Sequence, residues 1–217
     1  MEFQSAGFQN LGSWLVRLAR LDLTVFDDVK DEATATAPAL AVVVAASLLA
    51  GLGSWLWWII EIDVEGMSDK NFEAFWKTFI LGGIFMAALW LLWVYISAMI
   101  LSRAFRAGAD MNQMIRTTGL AFAPMAISVL VFISVLAVPF GVIAVAATIL
   151  LVNVAMQATT DGQPYQVVLA NLAGFAVFAI VLGILANIAP ISIDLGMGAS
   201  VEQGGLAPGI FFFDLNL

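Results

Sequence analysis

The sequence contains no cysteine and no histidine, and charged residues make up only 11% of it. The absence of cysteine excludes disulfides, a thiol nucleophile and a cysteine-based zinc site. The absence of histidine removes the commonest acid–base catalyst and the commonest transition-metal ligand. Basic residues are scarce as well, 8 against 16 acidic ones, and the net charge of −8 excludes a nucleic-acid binder.

Apolar residues are what the chain has in excess, at 62% of the sequence, with a mean hydropathy of +1.01. A soluble domain has about half apolar and about a quarter charged residues. In water this composition would leave a large apolar surface exposed, which excludes a soluble globular domain and a disordered chain. The sequence therefore predicts an all-α polytopic membrane protein.

Long uncharged runs give the number of spans, because a helix crossing the hydrocarbon core needs about 20 mostly apolar residues. We predict five spans, the third and fourth within the charge-free stretch 117–160. Pro139-Phe140-Gly141 is the predicted turn between them, since proline lacks an amide donor and disfavours helix in the residue before it. Pro124 is expected to kink the third span. The uncharged runs are 38–58, 78–102, 117–160 and 165–188. They form a predicted membrane domain 38–188, which a cytoplasmic segment 1–37 precedes and a Gly-rich tail 189–217 follows.

The orientation prediction follows from lysine and arginine alone, which favour the cytoplasmic side. Six basic residues fall before the first span or between the second and third, whereas the other predicted side has only Lys70 and Lys77. This distribution predicts a cytoplasmic amino terminus and an extracytoplasmic carboxyl terminus in the cell membrane. The six are Arg17, Arg20, Lys30, Arg103, Arg106 and Arg116.

The amino-terminal segment has an apolar stripe at helical spacing, with two arginines on the opposite face. It predicts an amphipathic helix in the headgroup region, or a helix packed on the span bundle. The acidic run that follows is either a partner-facing patch or a solvated cap. The stripe is Leu11, Trp14, Leu15, Leu18 and Leu21, and the acidic run contains Asp27, Asp28, Asp31 and Glu32.

The predicted spans carry no charged residue in their middle, although a few polar residues lie there. Buried amides usually hydrogen-bond a neighbouring helix, and the alternative is a polar path through a small transporter, a channel or a permease subunit. No catalytic, metal-ligand or cofactor motif occurs, so we predict no enzyme, no cofactor and no metal. The polar residues are Ser97, Ser128, Ser134, Thr148, Asn153, Gln157, Asn171 and Asn187.

Small residues four apart predict close helix contacts, either inside the bundle or against a partner subunit such as a second copy. Ala170/Gly174 and Ala179/Gly183 are examples. The loop 61–73 is predicted to be either a hydrated acidic loop or a weak calcium-binding loop. Calcium binding would be weak because the loop lacks the glutamate that closes a calcium-binding loop at position 12. Within the tail, Phe211-Phe212-Phe213 either docks on the bundle, enters the interface or is loosely ordered.

Three stretches together resemble the Yip family (Ypt/Rab-interacting protein domain) of five-span membrane proteins. They are the acidic-aromatic segment 21–35 before the first span, the basic-aromatic segment 103–124 ending in Gly119-Leu-Ala-Phe-Ala-Pro124, and the proline turn at 139–141. The resemblance implies a non-enzymatic protein that binds unidentified membrane or cytoplasmic partner proteins, or lipids. The long amino-terminal region of eukaryotic members is absent, which argues against a Rab-type partner.

If the chain works as the resemblance implies, we expect two cytoplasmic patches to bind the partner or lipid. The first comprises Arg17, Arg20, Asp27, Asp28, Asp31 and Glu32, and the second comprises Arg103, Arg106 and Arg116. Juxtamembrane arginines attract anionic lipid by about 1 kcal/mol each, so lipid contact is the rival explanation for them.

Overall fold

A computed structural model describes residues 2–61, 68–188, 190–196, 199–203 and 205–213. The regular secondary structure of the described residues is helical apart from one hairpin and an isolated β-bridge between Ala109 and Thr160. The α-helices are α1 (Glu2–Ala19), α2 (Val25–Asp31), α3 (Thr36–Glu61), α4 (Ser68–Ala74), α5 (Gly82–Met99), α6 (Met111–Ala121), α7 (Ala137–Gln157) and α8 (Pro164–Asn187). Shorter 3₁₀ helices cover Ala33–Ala35, Ala123–Phe132, Ser134–Leu136 and Gly209–Phe212, and π-helical turns cover Phe75–Leu81 and Ile100–Ala104.

Five helical stretches within the described residues are long and apolar enough to cross a membrane, which confirms the predicted count. Their outer surfaces are apolar: side chains such as Leu150 and Ile180 are more than 60% exposed. Exposed apolar area on this scale is typical of contact with lipid. The stretches are Ala33–Glu61, Lys70–Ala104, Met111–Phe132, Ser134–Gln157 and Pro164–Asn187.

The turn between the third and fourth spans lies at Ile133, so the prediction of a turn at residues 139–141 is wrong. Ile133 has an extended backbone, and α7 begins at Ala137. Pro139 therefore lies in the first turn of α7, where its missing amide has no helical partner to lose. Near Pro124 the span changes its helix type, because α6 ends at Ala121 and the span continues as a 3₁₀ helix from Ala123. The predicted kink at Pro124 stays a prediction.

The chain divides into two compact units. Unit 1 comprises Met1–Val44, Trp90–Pro124 and Ala146–Phe178, and unit 2 comprises Ala45–Leu89, Met125–Val145 and Ala179–Leu217. In unit 1, α1 buries Trp14 and Leu18 against protein. Leu21 follows the end of α1 and is 74% exposed, so it does not continue the buried stripe. The location of α1 at the membrane interface stays a prediction.

Close helix contacts in each unit involve small residues. In unit 2, Gly51 of α3 lies against the backbone of Thr78 and Phe79, and Gly53 lies against Ser128 and Val129. A side chain at either glycine would meet backbone atoms within 3 Å, so only glycine permits the approach. The sequence did not single out these two glycines.

The tail of unit 2 forms a hairpin and then packs against the spans. Strand β1 (Ile191–Gly196) pairs antiparallel with β2 (Ala199–Gln203), with a bulge between Asp194 and Gly196. Phe212 is fully buried in a cluster with Trp58, Ala74 and Ile191. The structure therefore confirms one of the predicted alternatives for Phe211-Phe212-Phe213, in which this stretch docks on the bundle.

Two glycines of α8 test whether close packing stabilises the spans. We expect Gly174→Ala to lower the melting temperature in detergent, because its Cβ would lie 2.5 Å from Ser97 Oγ and 2.6 Å from the Trp93 carbonyl oxygen. Overpacking of this kind costs about 1–3 kcal/mol. Gly183→Ala is the matched control, since nothing lies within 4 Å of its added Cβ. Equal melting temperatures for the two variants would contradict this packing.

Candidate cytoplasmic-face site

The nine residues predicted for the partner or lipid face all lie in unit 1. The structure separates them into two kinds. Most make side-chain hydrogen bonds or ion pairs with their own chain, whereas three arginines make none with the residues that the structure describes. The bonds of the first kind decide which side chains are available to another molecule.

Arg17 is fixed at the end of α1 by three side chains. Its guanidinium contacts Asp22 at 2.7 Å, Asp28 at 2.6 Å and Thr24 at 2.9 Å. The carboxylates of Asp28 and Asp22 raise the pKa of Arg17 above its ordinary value. Arg17 therefore joins α1 to α2, and its charge is balanced within the chain.

The turn after α1 aligns these partners. Leu21 has a φ of 59°, and the Asp22 amide donates to the Arg17 carbonyl while the Leu21 amide donates to Leu18. This is the Schellman arrangement, which usually has glycine at the left-handed position. The hydroxyl of Thr24, and next the guanidinium of Arg17, lower the pKa of the Asp22 carboxyl.

The acidic run forms α2, which buries an apolar face. Val25, Phe26 and Val29 are at most 1% exposed, while Asp27 and Asp28 point outward. The run is thus more than a solvated cap. The spacing of these three apolar residues was the available signal, but the surrounding charges concealed it.

Lys30 and Glu32 are also held by their own chain. Lys30 contacts Asp27 at 2.8 Å, which raises the pKa of Lys30, and donates to the Ala158 carbonyl at 3.3 Å. Glu32 accepts bonds from the hydroxyl and amide of Thr34, and these bonds lower the pKa of Glu32. Glu32 therefore caps the 3₁₀ turn that leads into α3.

Arg116 of α6 binds the segment that connects α2 with α3. Its guanidinium donates to Thr36 Oγ1 at 2.9 Å and to the Lys30 carbonyl at 3.0 Å. Asp31 accepts a bond of 3.1 Å from Gln113, one turn earlier on α6. The predicted second patch is therefore split, since Arg116 is a structural residue.

Arg20, Arg103 and Arg106 are exposed, and no side-chain hydrogen bond or ion pair holds them within the described part of the chain. Arg106 has a φ of 54° and follows the π-helical turn that ends at Ala104. Between Arg103 and Arg106, the ring of Phe105 contacts Tyr165 edge to face at 6.5 Å. We name these three residues the free arginines.

An open cleft of about 730 Å³ begins two residues after Arg106. Asp110 caps α6 by accepting from the amides of Asn112 and Gln113. Gly108 leaves room for the Asp161 carboxylate, which an added Cβ would approach to 2.9 Å. The sequence did not indicate this cleft, although an aspartate just before a helix is a recognisable cap signal. Its lining is Lys30, Gly108, Ala109, Asp110, Met111, Gln113, Ala158, Thr159, Thr160 and Asp161.

Polar residues inside unit 1 bond between helices. Asn171 of α8 accepts from Trp93 Nε1 of α5 at 3.0 Å and donates to the Ile149 carbonyl of α7 at 3.1 Å. Ser97 donates to the Ala170 carbonyl at 3.1 Å. Asn153 Oδ1 is buried and has no hydrogen-bond partner among the described atoms.

Three of the residues expected to be buried are exposed: Ser134, Gln157 and Asn187. Ser134 lies in the turn before α7 and donates to Glu61 at the end of α3. Gln157 and Asn187 end α7 and α8, where helices leave the apolar run. The charge-free runs are longer than the buried parts of the helices, so Gln157 and Asn187, at the helix ends, were wrongly expected to be buried.

Residues 62–67 of the predicted calcium loop lie outside the described residues, so the calcium alternative stays a prediction.

The chain matches no protein-family model, no curated protein and no solved structure at a significant level. The resemblance to the Yip family, and the non-enzymatic role that it implies, stay predictions.

Arg116→Lys tests whether Arg116 holds this face together. The variant keeps the charge but is not expected to make both bonds to Thr36 and the Lys30 carbonyl, because the lysine ammonium lacks the planar, fixed spacing of the guanidinium donors. We expect a loss of about 1.5–3 kcal/mol in stability, measured by thermal unfolding in detergent. Arg103→Lys is the control, and an equal loss in that variant would contradict the assignment.

The turn after α1 should loosen in acid. Because the pKa of folded Asp22 is lowered, its stabilisation is present above about pH 4 and is lost as the pH falls through the folded-state pKa. Amide exchange of residues 20–26, corrected for intrinsic rates, should accelerate there. Asp22→Asn should exchange fast at every pH, whereas Asp31→Asn should keep the profile of the unmodified chain.

Proposed function

We propose that this chain is a non-catalytic integral membrane protein that organises other components at the cytoplasmic face. In this proposal, the free arginines hold anionic lipid headgroups, and the polar cleft beside Arg106 takes an unidentified protein partner. One observation carries the proposal. Most charged side chains of unit 1 are hydrogen-bonded or ion-paired within the chain, but Arg20, Arg103 and Arg106 are exposed and unpaired in its described part.

The surroundings of the free arginines support lipid contact. Leu21 follows Arg20 and is 74% exposed, and Tyr165 is 61% exposed beside Phe105. On α1, Phe8 and Val16 are about half exposed. Arginine, aromatic and apolar side chains in this combination are typical of the membrane interface.

The distribution of basic residues supports a cytoplasmic location for this face. The six residues that the sequence assigned to the cytoplasm belong to unit 1, while Lys70 and Lys77 belong to unit 2. With five spans, this bias favours a cytoplasmic amino terminus and an extracytoplasmic carboxyl terminus.

The cleft supports the protein-binding part of the proposal. It carries side chains of both signs, Lys30 with Asp110 and Asp161, on a polar surface. The transporter alternative is less well supported, because Ser97 and Asn171 are occupied in bonds between helices.

Charge reversal of the free arginines tests the lipid-binding part. In nanodiscs, Arg103→Glu and Arg106→Glu should each weaken retention of anionic lipid by about fivefold, corresponding to ~1 kcal/mol per basic residue. High salt should remove the difference. Lys70→Glu in unit 2 is the control and should retain the unmodified amount. An equal loss from Lys70→Glu would contradict the assignment of the face.

Crosslinking in native membranes tests the protein-binding part. A partner should be recovered reproducibly from the unmodified chain and lost from Asp161→Lys, which reverses a charge in the cleft. Recovery of lipid without any protein would overturn this part while leaving the lipid contact intact.

A further inference from the structure

The last described segment of unit 2, residues 205–213, is buried like a core element although it follows the final span. Ala207 and Phe212 have no exposed surface, and Pro208 and Gly209 are buried as well. The segment comes after the β1–β2 hairpin and returns to the spans. The segment is separated in the sequence from every spanning helix that it contacts.

Gly209 lies at considerable depth along α3. Its amide donates to Ser54 Oγ at 2.8 Å, and the Ser54 hydroxyl donates in turn to the Ala50 carbonyl at 3.3 Å. Ser54 is seven residues before Glu61, the charged end of α3, which corresponds to about 10 Å of helix. Irregular backbone at such depth requires a protein cover, and unit 2 supplies it.

The surface that receives the segment is shaped for it. An added Cβ on Gly141 would meet Ile210 Cβ at 2.7 Å, so this glycine provides the notch that Ile210 fills. Gly205, with a φ of +42°, lies against the Ala186 carbonyl, and the Leu206 amide donates to the Leu185 carbonyl at 3.0 Å. We name this surface the tail groove, formed by Ala50, Ser54, Ser128, Gly141 and Leu185.

Aromatic contacts hold the end of the segment. The ring of Trp57 contacts Phe212 at 5.6 Å and Phe213 at 5.1 Å, both edge to face. These contacts resemble the aromatic anchors of a peptide in a binding groove. Two of the polar contacts use backbone amides of the segment, at Leu206 and Gly209, so the groove recognises a peptide rather than an acyl chain.

We propose that the tail groove is a peptide-binding site whose ligand is the chain's own segment 205–213, which can leave the groove and rebind. The helices around it keep their own hydrogen-bond ladders when the segment leaves. Ser54 also keeps the Ala50 carbonyl as an acceptor for its hydroxyl. Vacating the groove therefore exposes a site of defined shape on the side of the carboxyl terminus.

Cleavage of the folded full-length chain tests the proposal without requiring a truncated chain to fold. A protease site replaces Gly204, and the protein is cleaved in nanodiscs. A fluorescent synthetic peptide of residues 205–217 is then added in excess, and its binding is followed by anisotropy. We expect the peptide to exchange with the cleaved fragment and to be displaced by unlabelled peptide.

Matched variants show whether binding occurs in the tail groove. Gly141→Ala should weaken binding of the peptide by about tenfold or more, as expected for the loss of 1.4 kcal/mol or more. A peptide carrying Ile210→Gly should recover affinity for that variant, because it removes the clashing Cβ. Gly183→Ala, with nothing within 4 Å of its added Cβ, should bind like the unmodified chain.

Any one of four results would overturn the proposal. In the first, the cleaved fragment does not exchange with the labelled peptide. In the second, the fragment leaves the groove but no peptide rebinds. Alternatively, a fatty acid displaces the labelled peptide while unlabelled peptide does not, which would make the groove a lipid site. Equal affinity in Gly141→Ala and Gly183→Ala would likewise exclude the tail groove as the binding site.

Discussion

A hydrocarbon environment offers no hydrogen-bond partner, so a polar group inside the spans is stabilised when it finds a partner within the protein. Asn171 illustrates the constraint most clearly. A single amide joins α8 to Trp93 of α5 and to the backbone of α7. Such bonds give the helices of unit 1 specific positions that apolar packing alone would leave less defined. The same groups would have to be released for a polar path to open.

Outside the spans, water and headgroups solvate charges, and the chain uses its charges differently. Arg17 connects α1 with α2, and Arg116 connects α6 with α2 and with the start of α3. Once the bonds of Arg17, Lys30 and Arg116 are assigned, three of the six basic residues remain unpaired within the described part of the chain. A basic patch counted in the sequence therefore overestimates the surface available for binding, because it cannot separate structural from unpaired arginines.

The sequence was sufficient for features that one physical rule controls. The length of the hydrocarbon core determines how long an uncharged run must be, and this rule located the five spans. It located the turn after the third span wrongly, because Pro139 is compatible with the first turn of a helix as well as with a loop. The helical face of α2 was present in the spacing of Val25, Phe26 and Val29, although the charges around it dominated the interpretation.

Contacts between distant parts of the chain were beyond the sequence analysis. Nothing in the periodicity near Gly141 indicates that it receives Ile210, and nothing near Ser54 indicates that it accepts the Gly209 amide. A small-residue pair was equally ambiguous: Gly174 lies in a close contact while Gly183, in the same pattern on the same helix, does not.

The two ends of the described chain show the same physical solution to the problem of attaching a short segment to a span bundle. At each end, a glycine admits the segment: Gly7 of α1 lies against the Thr34 backbone, and Gly141 lies against Ile210. A polar contact then fixes the register, through Arg17 with Asp28 at one end and Ser54 with Gly209 at the other. The difference lies in the environment. The ion pair at the amino-terminal end is sensitive to salt and acid, whereas the neutral, buried bond at the carboxyl-terminal end responds mainly to competition for the groove.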